Sequence, residues 1–284
     1  MREIGYYNGK MGNLNEMEIP MQDRALFFGD GVYDVASAWK GTFFALDDHL
    51  DRFYRSCSML EIKFPLTREE LKAELQKCLD AAESEEAAAV YWQSSRANCR
   101  RSHIFPKGDQ KPTLLITVTP MKALDYSIPL KLTDIEDTRF LHCNIKTLNL
   151  IPNVLAAQRG EEAGCDEIVF HRGEYMTEGA HSSILILKDG TLIGPVQNEW
   201  ILPSITRKHI FEAAEELGIP REERNITMDE FKDADEVIVC STTKICAAAD
   251  TFNGRPVGMK DRELFRKIQK AYFDRIFRET GWKL

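Results

Sequence analysis

The apolar residues of this chain are spread over many short segments, and the longest apolar runs, such as Pro112–Val118 and Ile184–Leu187, cover only about five to seven residues. A bilayer span needs about 18–20 consecutive apolar residues, so the sequence predicts no membrane helix. Hydrophobic residues nevertheless make up 43% of the 284 residues, enough for a sizeable core. At roughly 100–200 residues per domain, this length predicts one large domain or two ordinary ones.

Charge and cysteine content narrow the class of protein further. The formal net charge is −8, which disfavours general nucleic-acid binding because that needs a positive surface. The N-terminal residues Met1–Gly5 lack the apolar region of a secretory signal. The seven cysteines are odd in number and contain no Cys-x-x-Cys pair, which is typical of reduced thiols. We therefore expect a cytoplasmic globular protein without nucleic-acid or membrane partners.

The hydrophobic patterning indicates a mixed α and β class. Val32–Trp39 has the composition of a strand, and an amphipathic helix with an aspartate cap is expected soon after it. Thr67 is followed three residues later by a glutamate, which predicts a capping box at a second helix. Thr138–Phe140 is expected to be a strand. A proline-bounded segment predicts a linker, which gives an N-terminal domain 1–119, a linker 120–129 and a C-terminal domain 130–284.

Several common catalytic motifs are missing. Gly29-Asp30-Gly31 begins like a dinucleotide-binding fingerprint, but Asp34 stands at the third glycine and a strand is expected to follow. The sequence contains no Gly-x-Ser-x-Gly, no P-loop and no His-Glu-x-x-His. The six histidines do not pair at metal-ligand spacing, so no metal site is predicted.

Lys146 is the candidate nucleophile. It is the single charged residue in an otherwise uncharged stretch, beside Ile145, Leu148 and Leu150. An ordinary surface lysine is one interpretation. The other is a buried lysine, whose charged form is disfavoured, so that its amine can form a Schiff base near neutral pH.

Glu178 is a candidate partner for a cofactor ring. It lies in Thr177-Glu178-Gly179, shortly after an expected strand. It is either a solvated turn residue or an inward-facing carboxylate able to hold a protonated pyridine nitrogen, as pyridoxal-phosphate chemistry requires.

A phosphate group has three candidate ligand segments. Pro203–Thr206 opens a predicted helix, and helix N-termini bind phosphate through free backbone N–H groups. Ser241–Thr243 follows a buried strand, and Arg52 can supply a bidentate cation. The alternatives are a helix cap, a plain turn and a surface charge.

The loop from Arg96 to His103 contains three arginines and one histidine. It is either a solvated basic loop or a cationic trap for a substrate carboxylate, for which arginine supplies a planar pair of donors.

In their order and spacing these segments resemble the fold-type IV pyridoxal-phosphate enzymes, and among them the D-amino-acid aminotransferases, over nearly the whole chain. The resemblance rests on these motifs: Asp23-Arg24, Phe28–Tyr33, His49–Tyr54, Cys143–Asn149, Thr177–Gly179, Ile201–Arg207 and Ser241–Thr243. It implies a mixed α/β and α+β fold with a smaller N-terminal α/β domain and a larger C-terminal pseudo-barrel domain.

The resemblance also implies roles for individual residues. Lys146 would bind pyridoxal 5'-phosphate as a Schiff base and move the substrate proton, and Glu178 would pair with the pyridine nitrogen. The remaining cofactor-binding residues would be Arg52, Leu202, Ile205, Thr206, Ser241 and Thr242, with Leu202 packed against the ring.

Substrate binding is implied by a second set of residues. In the D-amino-acid enzymes an Arg-x-His pair and a tyrosine hold the α-carboxylate, and the corresponding residues here are Arg101, His103 and Tyr33. The family's loop completes the site of the partner subunit, so the resemblance implies a homodimer in which residues 96–103 do the same. The chain departs from the family pattern at Ala180, His181 and Ser183 after the glutamate, and at Asp34, where the best-known members carry glutamate.

The activity implied is transfer of an amino group from a D-amino acid such as D-alanine to 2-oxoglutarate, giving a 2-oxo acid and D-glutamate. Two other activities on the same fold stay open, those of a branched-chain L-amino-acid aminotransferase and of an aminodeoxychorismate lyase. A catalytically silent binding protein is a further alternative.

Overall fold

The computed structural model describes residues 1–122 and 124–284; Ala123, within the predicted linker 120–129, lies outside the described residues. The chain forms two compact units. The first contains Met1–Ala123, Ile145–Asn149 and Glu279–Trp282, and the second contains Leu124–Asn144, Leu150–Arg278 and Lys283–Leu284. The segment with Lys146 thus belongs to the first unit, although the chain on both sides of it belongs to the second. The predicted domain ranges 1–119 and 130–284 stay a prediction.

The first unit is built on an antiparallel six-stranded sheet. Its strands are β1 (Ile4–Tyr7), β2 (Lys10–Asn13), β3 (Gly31–Trp39), β4 (Thr42–Phe43), β5 (Ala87–Ser95) and β6 (Leu115–Pro120), in the spatial order β2-β1-β6-β5-β3-β4. Its helices are α1 (Arg24–Phe28), α2 (Leu46–Met59) and α3 (Arg68–Ala81), and a 3-10 turn covers Leu14–Glu16. The core of this unit forms around Leu50, Phe53 and Trp92, which are fully buried.

Local signals position the two long helices of this unit. The capping box at Thr67 is confirmed, since its hydroxyl accepts from the Glu70 N–H and the Glu70 carboxylate accepts from the Thr67 N–H. The aspartate cap predicted for α2 is wrong. The residue before α2 is Ala45, without a side-chain capping bond, and Asp47 and Asp48 lie in the first turn. There their charges still favour the positive end of the helix dipole.

The second unit is built on a mixed nine-stranded sheet. Its strands are β7 (Leu130–Glu136), β8 (Glu167–Arg172), β9 (Tyr175–Gly179), β10 (Ser183–Lys188), β11 (Thr191–Gly194), β12 (Arg221–Glu223), β13 (Glu236–Cys240), β14 (Ala247–Phe252) and β15 (Arg255–Pro256). They follow the order β12-β11-β10-β13-β14-β7-β8-β9, with β15 beside β14. The helices are α4 (Ile151–Glu162), α5 (Ile205–Glu216), α6 (Met228–Lys232) and α7 (Arg262–Thr280).

The predicted mixed α and β class with two domains is confirmed, but one predicted strand is wrong. β7 ends at Glu136, and residues 138–140 are irregular. The Asp137 carboxylate accepts from the backbone N–H of Arg139, which turns the chain there instead of extending it. Conversely, the segment with Glu178 is not a turn but strand β9, paired with β8.

The described residues contain neither a membrane-spanning helix nor a cluster of metal-binding side chains. None of the helices they form is long and apolar enough to cross a membrane. No group of three or more histidine, cysteine or acidic side chains in the described ranges is arranged to hold a metal ion.

Candidate active site

Arg52 is buried on α2 and pairs with Asp34 on β3. Its Nε donates to Asp34 Oδ2 at 2.8 Å and its Nη2 donates to Oδ1 at 2.6 Å. Asp34 is fully buried. Burial alone raises the pKa of this carboxyl, but Arg52 and then His49 outweigh burial and hold the pKa well below its usual range. Arg52 is therefore a fixed cation and not the surface charge that the sequence also allowed.

His49 joins this pair from one turn earlier on α2. Its Nδ1 lies 2.8 Å from Asp34 Oδ1 and 3.4 Å from Arg52 Nη2. Burial lowers the pKa of His49 and exceeds the opposing effect of Asp34, so the imidazole is neutral at physiological pH. In this buried cluster Asp34 is therefore the anion, Arg52 is the cation and His49 is uncharged.

Both backbone polar groups of Lys146 are hydrogen-bonded. Its carbonyl accepts from the Tyr33 N–H at 2.9 Å, and its N–H donates to the Ser56 hydroxyl at 3.3 Å. Next to it, Thr147 forms a β-bridge with Val32. This segment therefore lies along the start of β3, and its backbone is fixed independently of the Lys146 side chain, which is half-buried.

The Lys146 side chain contacts Tyr33. Its Nζ lies 4.3 Å from the centroid of the Tyr33 ring, which in turn stacks on Tyr91 at 5.4 Å. Tyr33 and Asp34 are consecutive in β3, so they point to opposite faces of the sheet. One short strand segment therefore positions two predicted site residues, Lys146 through Tyr33 and Arg52 through Asp34.

The loop with Arg101 and His103 is exposed and is anchored on α1. The Arg101 Cζ lies 4.9 Å from the centroid of the Phe28 ring, and the His103 ring centroid lies 5.2 Å from it. Arg96, the first arginine of the loop, is instead buried, and its Nε donates to both Asp30 oxygens at 3.0 and 3.1 Å. The structure thus assigns Arg96 a structural role and leaves Arg101 and His103 exposed.

Within one chain the substrate-binding set is not brought together. Among the described residues, no hydrogen bond, ion pair or ring contact joins Arg101 or His103 to Tyr33 or Lys146. Tyr33 lies with the lysine, while the Arg-x-His pair lies on the Phe28 ring.

In the second unit, Glu178 is buried on β9. Its Oε1 accepts from Arg139 Nη1 at 2.5 Å, and its Oε2 accepts from the Leu202 N–H at 3.2 Å. Burial raises the pKa of Glu178, and Arg139 opposes that effect only in part. The carboxylate and the backbone of the predicted ring-packing residue Leu202 are therefore in direct contact.

Arg139 is itself fixed by Asp137. Its Nε and Nη2 donate to the two Asp137 oxygens at 2.9 and 2.8 Å, and Asp137 also accepts from the Thr177 hydroxyl at 3.1 Å. This cluster of Asp137, Arg139 and Glu178 carries two carboxylates on one guanidinium. The Asp137 pKa is lowered, since Arg139 and Arg172 outweigh burial.

The phosphate segments of the second unit lie at a helix start and at a turn. Ser204 caps α5 by accepting from the Arg207 N–H at 3.1 Å, so Ile205 and Thr206 form the first turn. Ser241 and Thr242 lie in the turn after β13, where the Ser241 hydroxyl accepts from the Lys244 N–H at 3.0 Å. Ser204 is thus a cap, and the N–H groups of the first turn of α5 are the donors that suit a phosphate.

The residues that follow Glu178 and depart from the family pattern lie near another carboxylate, Glu167. Its oxygens accept from the Ser182 hydroxyl at 2.6 Å and from Lys244 Nζ at 3.0 Å. His181 lies beside it, with 3.4 Å between Nδ1 and Oε2. The Ala180 N–H also donates to Glu167, and Ser183 opens β10. Glu167 thereby connects the turn after β9 to the turn that holds Ser241 and Thr242.

Sequence reasoning missed the partners that fix the predicted residues. Asp34 was noted only as a departure from a pattern, and His49 and Arg139 were not singled out. A usable signal existed for Arg139, because it is a charged residue inside the expected strand Thr138–Phe140 and directly follows Asp137-Thr138. For Asp34 the signal was a carboxylate inside a strongly apolar strand.

The candidate site residues of the first unit and those of the second unit offer different chemical groups. The first unit offers an amine at Lys146, a fixed cation at Arg52 and two exposed donors at Arg101 and His103. The second offers a buried carboxylate at Glu178, and helix N–H groups at Ile205 and Thr206.

Comparisons with known proteins identify relatives over nearly the full length. The family model described as "Amino-transferase class IV" matches residues 31–249. The D-alanine aminotransferase of Staphylococcus haemolyticus is 35% identical over 272 residues, which is 94% of this chain and 95% of that protein. That of Listeria monocytogenes serotype 4b (strain F2365) is 35% identical over 281 residues, 96% of each.

Solved structures share the fold. The branched-chain amino acid aminotransferase of Escherichia coli superposes with a TM-score of 0.88 over 100% of this chain and 96% of that chain, at 19% identity. Another branched-chain amino acid aminotransferase, solved with pyridoxamine 5'-phosphate, gives a TM-score of 0.88 over 99% of this chain and 95% of that chain, at 20% identity. At these identities the likeness extends to the fold alone.

Proposed function

Because this chain belongs to the class IV aminotransferase family, we propose that it is a pyridoxal-phosphate-dependent transaminase that moves the amino group of a D-amino acid such as D-alanine to 2-oxoglutarate. The observation that carries the proposal is the 35% identity to D-alanine aminotransferases over 94–96% of the chain. The exposed pair of Arg101 and His103 supports it, because a guanidinium and an imidazole match the α-carboxylate that amino acids and 2-oxo acids share.

The residues present fit pyridoxal phosphate. Arg52 is a cation whose position is fixed by Asp34, and the first turn of α5 supplies N–H donors, so both suit a phosphate. Glu178 is a buried acidic side chain held by Arg139 and by the Leu202 N–H, and such an acidic partner suits a pyridine N–H. The solved relative with pyridoxamine 5'-phosphate supports the same cofactor. Ser241 and Thr242 are proposed as further phosphate ligands, and Leu202 as the side chain against the ring.

When bound, this cofactor withdraws electrons from the carbon that carries the amino group, which makes its proton acidic. The chain's own residues perform the remaining tasks. We assign Lys146 Nζ to covalent attachment of the cofactor and then to carrying the Cα proton. Glu178 would pair with the pyridine N–H and so favour the protonated ring, and Arg139 keeps Glu178 in place. Arg101, His103 and Tyr33 orient the carboxylate so that the Cα proton faces Lys146.

Half-reactions test the activity. The purified holoenzyme is mixed with D-alanine, L-alanine or L-valine without an acceptor, and the visible absorbance of the bound cofactor is followed. We expect loss of absorbance with D-alanine only, and its recovery on addition of 2-oxoglutarate. Loss with L-valine but not with D-alanine would overturn the proposal in favour of a branched-chain L-enzyme. Pyruvate formation from aminodeoxychorismate without an acceptor would overturn it in favour of a lyase.

We also propose a homodimer in which residues 96–103 complete the partner's site. Two observations support it. Arg101 and His103 have no contact with Lys146 among the described residues of their own chain, and the apolar side chains next to them, Ile104 and Phe105, are 63% and 51% exposed. Exposed apolar side chains beside a site are typical of an interface.

Complementation between subunits tests this arrangement. Lys146→Ala and Arg101→Ala are each expected to be nearly inactive. When the two are co-expressed, a mixed dimer contains one site with an intact lysine and an intact partner arginine, so about a quarter of the wild-type activity should return if subunits associate at random. If the loop acts within its own chain, no mixed dimer has a complete site, and activity stays at the level of the single variants.

The proposed location is the cytoplasm. All seven cysteines in the described residues carry free thiols, which fits a reducing compartment.

A further inference from the structure

We propose that Phe28 is the platform that orients the carboxylate-binding pair, Arg101 and His103, and that it thereby sets the affinity for carboxylate substrates. The inference rests on the proposed function and adds a positioning residue to it. Three cationic or imidazole side chains contact the Phe28 ring: the Arg101 guanidinium at 4.9 Å, the Arg24 guanidinium at 4.8 Å and the His103 ring at 5.2 Å from its centroid. The Phe27 ring lies edge-on to it, with 6.2 Å between centroids.

The backbone around Phe28 fixes the direction of the ring. Phe28 is the last residue of α1, and Gly29 ends that helix with a φ of 58°, a conformation that glycine adopts without strain. The Asn149 side-chain amide donates to the Gly29 carbonyl at 2.9 Å. The ring therefore projects from a closed helix end and not from a mobile segment.

Arg24 connects the platform to the loop. It precedes Phe28 by four residues, so the two share a face of α1. Its Nη1 donates to the Ser102 carbonyl at 2.6 Å, at the residue between Arg101 and His103, and its Nε donates to Asp30 Oδ2 at 2.7 Å. The backbone of the Arg-x-His segment is thus attached to α1 while its two side chains rest on Phe28.

The Asp30 carboxylate also holds Arg96, the first residue of the loop 96–103. Asp30 accepts from Arg96 as well as from Arg24, and Arg96 Nη1 and Nη2 donate to the carbonyls of Glu61 and Leu60 after α2. Arg24 and Arg96 direct their donors to these fixed groups. They are therefore structural cations. The other two arginines of the loop, Arg100 and Arg101, are exposed, and Arg101 is the one that lies on the Phe28 ring.

An aromatic ring orients Arg101 without occupying its donors. An ion pair with a carboxylate would occupy the guanidinium N–H groups that a substrate carboxylate needs. A ring face attracts the cation through its quadrupole and leaves the N–H groups at the edge free. Among the described residues Arg101 forms no ion pair and His103 no hydrogen bond, so Phe28 is the contact that positions both of them.

Propionate is the probe for the test, because it carries the carboxylate and lacks the amino group. Its dissociation constant is measured on the holoenzyme from competition with D-alanine, for Phe28→Leu, Phe28→Tyr and the control Leu26→Ala. We expect Phe28→Leu to raise the dissociation constant of propionate and the KM of D-alanine by about 5- to 20-fold, from the loss of two ring contacts. The kcat and the affinity for pyridoxal phosphate should change less than about two-fold.

The other variants separate positioning from folding. Phe28→Tyr keeps the ring face and should keep wild-type affinity. Leu26→Ala removes an exposed apolar side chain from the same helix, one that has no contact with the Phe28 ring among the described residues, and should leave the affinity unchanged. If Phe28→Leu leaves propionate binding unchanged, or weakens pyridoxal phosphate binding equally, the inference is wrong.

Arg101→Ala separates failure of the inference from failure of the proposed function. If Arg101→Ala weakens propionate binding and Phe28→Leu does not, only the platform is wrong. If Arg101→Ala itself has no effect, the carboxylate role of the loop is wrong, and the platform with it.

Discussion

Arg52 and Asp34 form a two-point hydrogen-bonded ion pair inside the first unit, with 2.8 Å between Nε and Oδ2 and 2.6 Å between Nη2 and Oδ1. Both residues are buried. A guanidinium held along one edge keeps a fixed direction, which is what a phosphate ligand requires. Asp34 thus holds Arg52 at two points.

Asp34→Asn should uncouple this pair. Removing one partner of a buried ion pair typically costs about 3–5 kcal/mol of unfolding free energy, because the other charge stays buried. The dissociation constant of pyridoxal phosphate should rise about 10- to 100-fold, in line with the loss of hydrogen bonds to a charged group. Denaturant unfolding and cofactor titration measure the two effects.

Asp51→Asn is the matched control for this prediction. Asp51 lies on α2, the helix that carries Arg52, and pairs with Arg68 at the exposed surface, where ion pairs contribute about 0–1 kcal/mol. Equal losses in Asp34→Asn and Asp51→Asn would contradict a special role for the buried pair.

His49 should make stability depend on pH. Burial lowers its pKa in the folded protein, so the unfolded chain binds a proton first as the pH falls below about 6.5. The unfolding free energy that comes from keeping His49 neutral is therefore fully present above about pH 6.5. It decreases as the pH falls from about 6.5 towards the lower pKa of the folded protein. His49→Asn keeps a donor for Asp34 but cannot titrate, so its Tm should fall less between pH 7 and 5 than that of the wild type.

His142→Asn is the control, because His142 is exposed. It should keep the pH dependence of the wild type. If His49→Asn and the wild type lose Tm in parallel over this range, His49 is not held neutral by the fold.

Local patterns predicted part of this molecule from the sequence. The capping box at Thr67 and the strand Val32–Trp39 depend on neighbouring residues, and both are present in the structure. Lys146 stood out because its surroundings are uncharged. Such signals need only a few consecutive residues, so they do not depend on knowing the fold.

The partners of the site residues could not be predicted in the same way. Asp34 lies 18 residues from Arg52, and Arg139 lies 39 residues from Glu178, so only the folded chain brings them together. The erroneous strand at Thr138–Phe140 has a partly local cause. Asp137 accepts from the backbone N–H and from the guanidinium of Arg139, two residues away, and the resulting turn places Arg139 against Glu178.

Glu178 should cost stability at neutral pH. Burial raises the pKa of Glu178 in the folded protein, so the folded chain holds the carboxyl proton more tightly than the unfolded chain does. The folding free energy gained in this way is fully present below about pH 4.3 and is lost as the pH rises through the folded pKa. Glu178→Gln is nearly isosteric and uncharged. In cofactor-free protein, its Tm relative to the wild type should therefore become more favourable as the pH rises from 5 to 8.

The same variant should lose function. Without the carboxylate, the pyridine nitrogen has no anionic partner, so the half-reaction with D-alanine should slow by at least about 100-fold, the range of a charge-assisted interaction. A uniform loss of Tm at every pH, with the half-reaction intact, would refute the role assigned to Glu178.

Gly31→Ala should displace the segment that carries Lys146. A methyl group at Gly31 would meet the Ser94 carbonyl oxygen and would lie 2.8 Å from Leu148 Cδ1, while the Gly31 carbonyl accepts from the Leu148 N–H at 3.1 Å. The strand and the lysine segment cannot both keep their places. We expect a loss of about 1–3 kcal/mol of unfolding free energy, typical of overpacking, together with reduced covalent attachment of the cofactor.

Gly12→Ala tests whether any added methyl group has this effect. Gly12 lies in β2 of the same sheet, and its added methyl would meet only the Met17 sulfur at 3.3 Å, at the end of a flexible side chain. The two measurements are the Tm and the yield of pyridoxal phosphate trapped on Lys146 by borohydride, located by peptide mass mapping. Both should be near wild type for Gly12→Ala and reduced for Gly31→Ala. If Gly31→Ala keeps both, the start of β3 does not fix the position of Lys146.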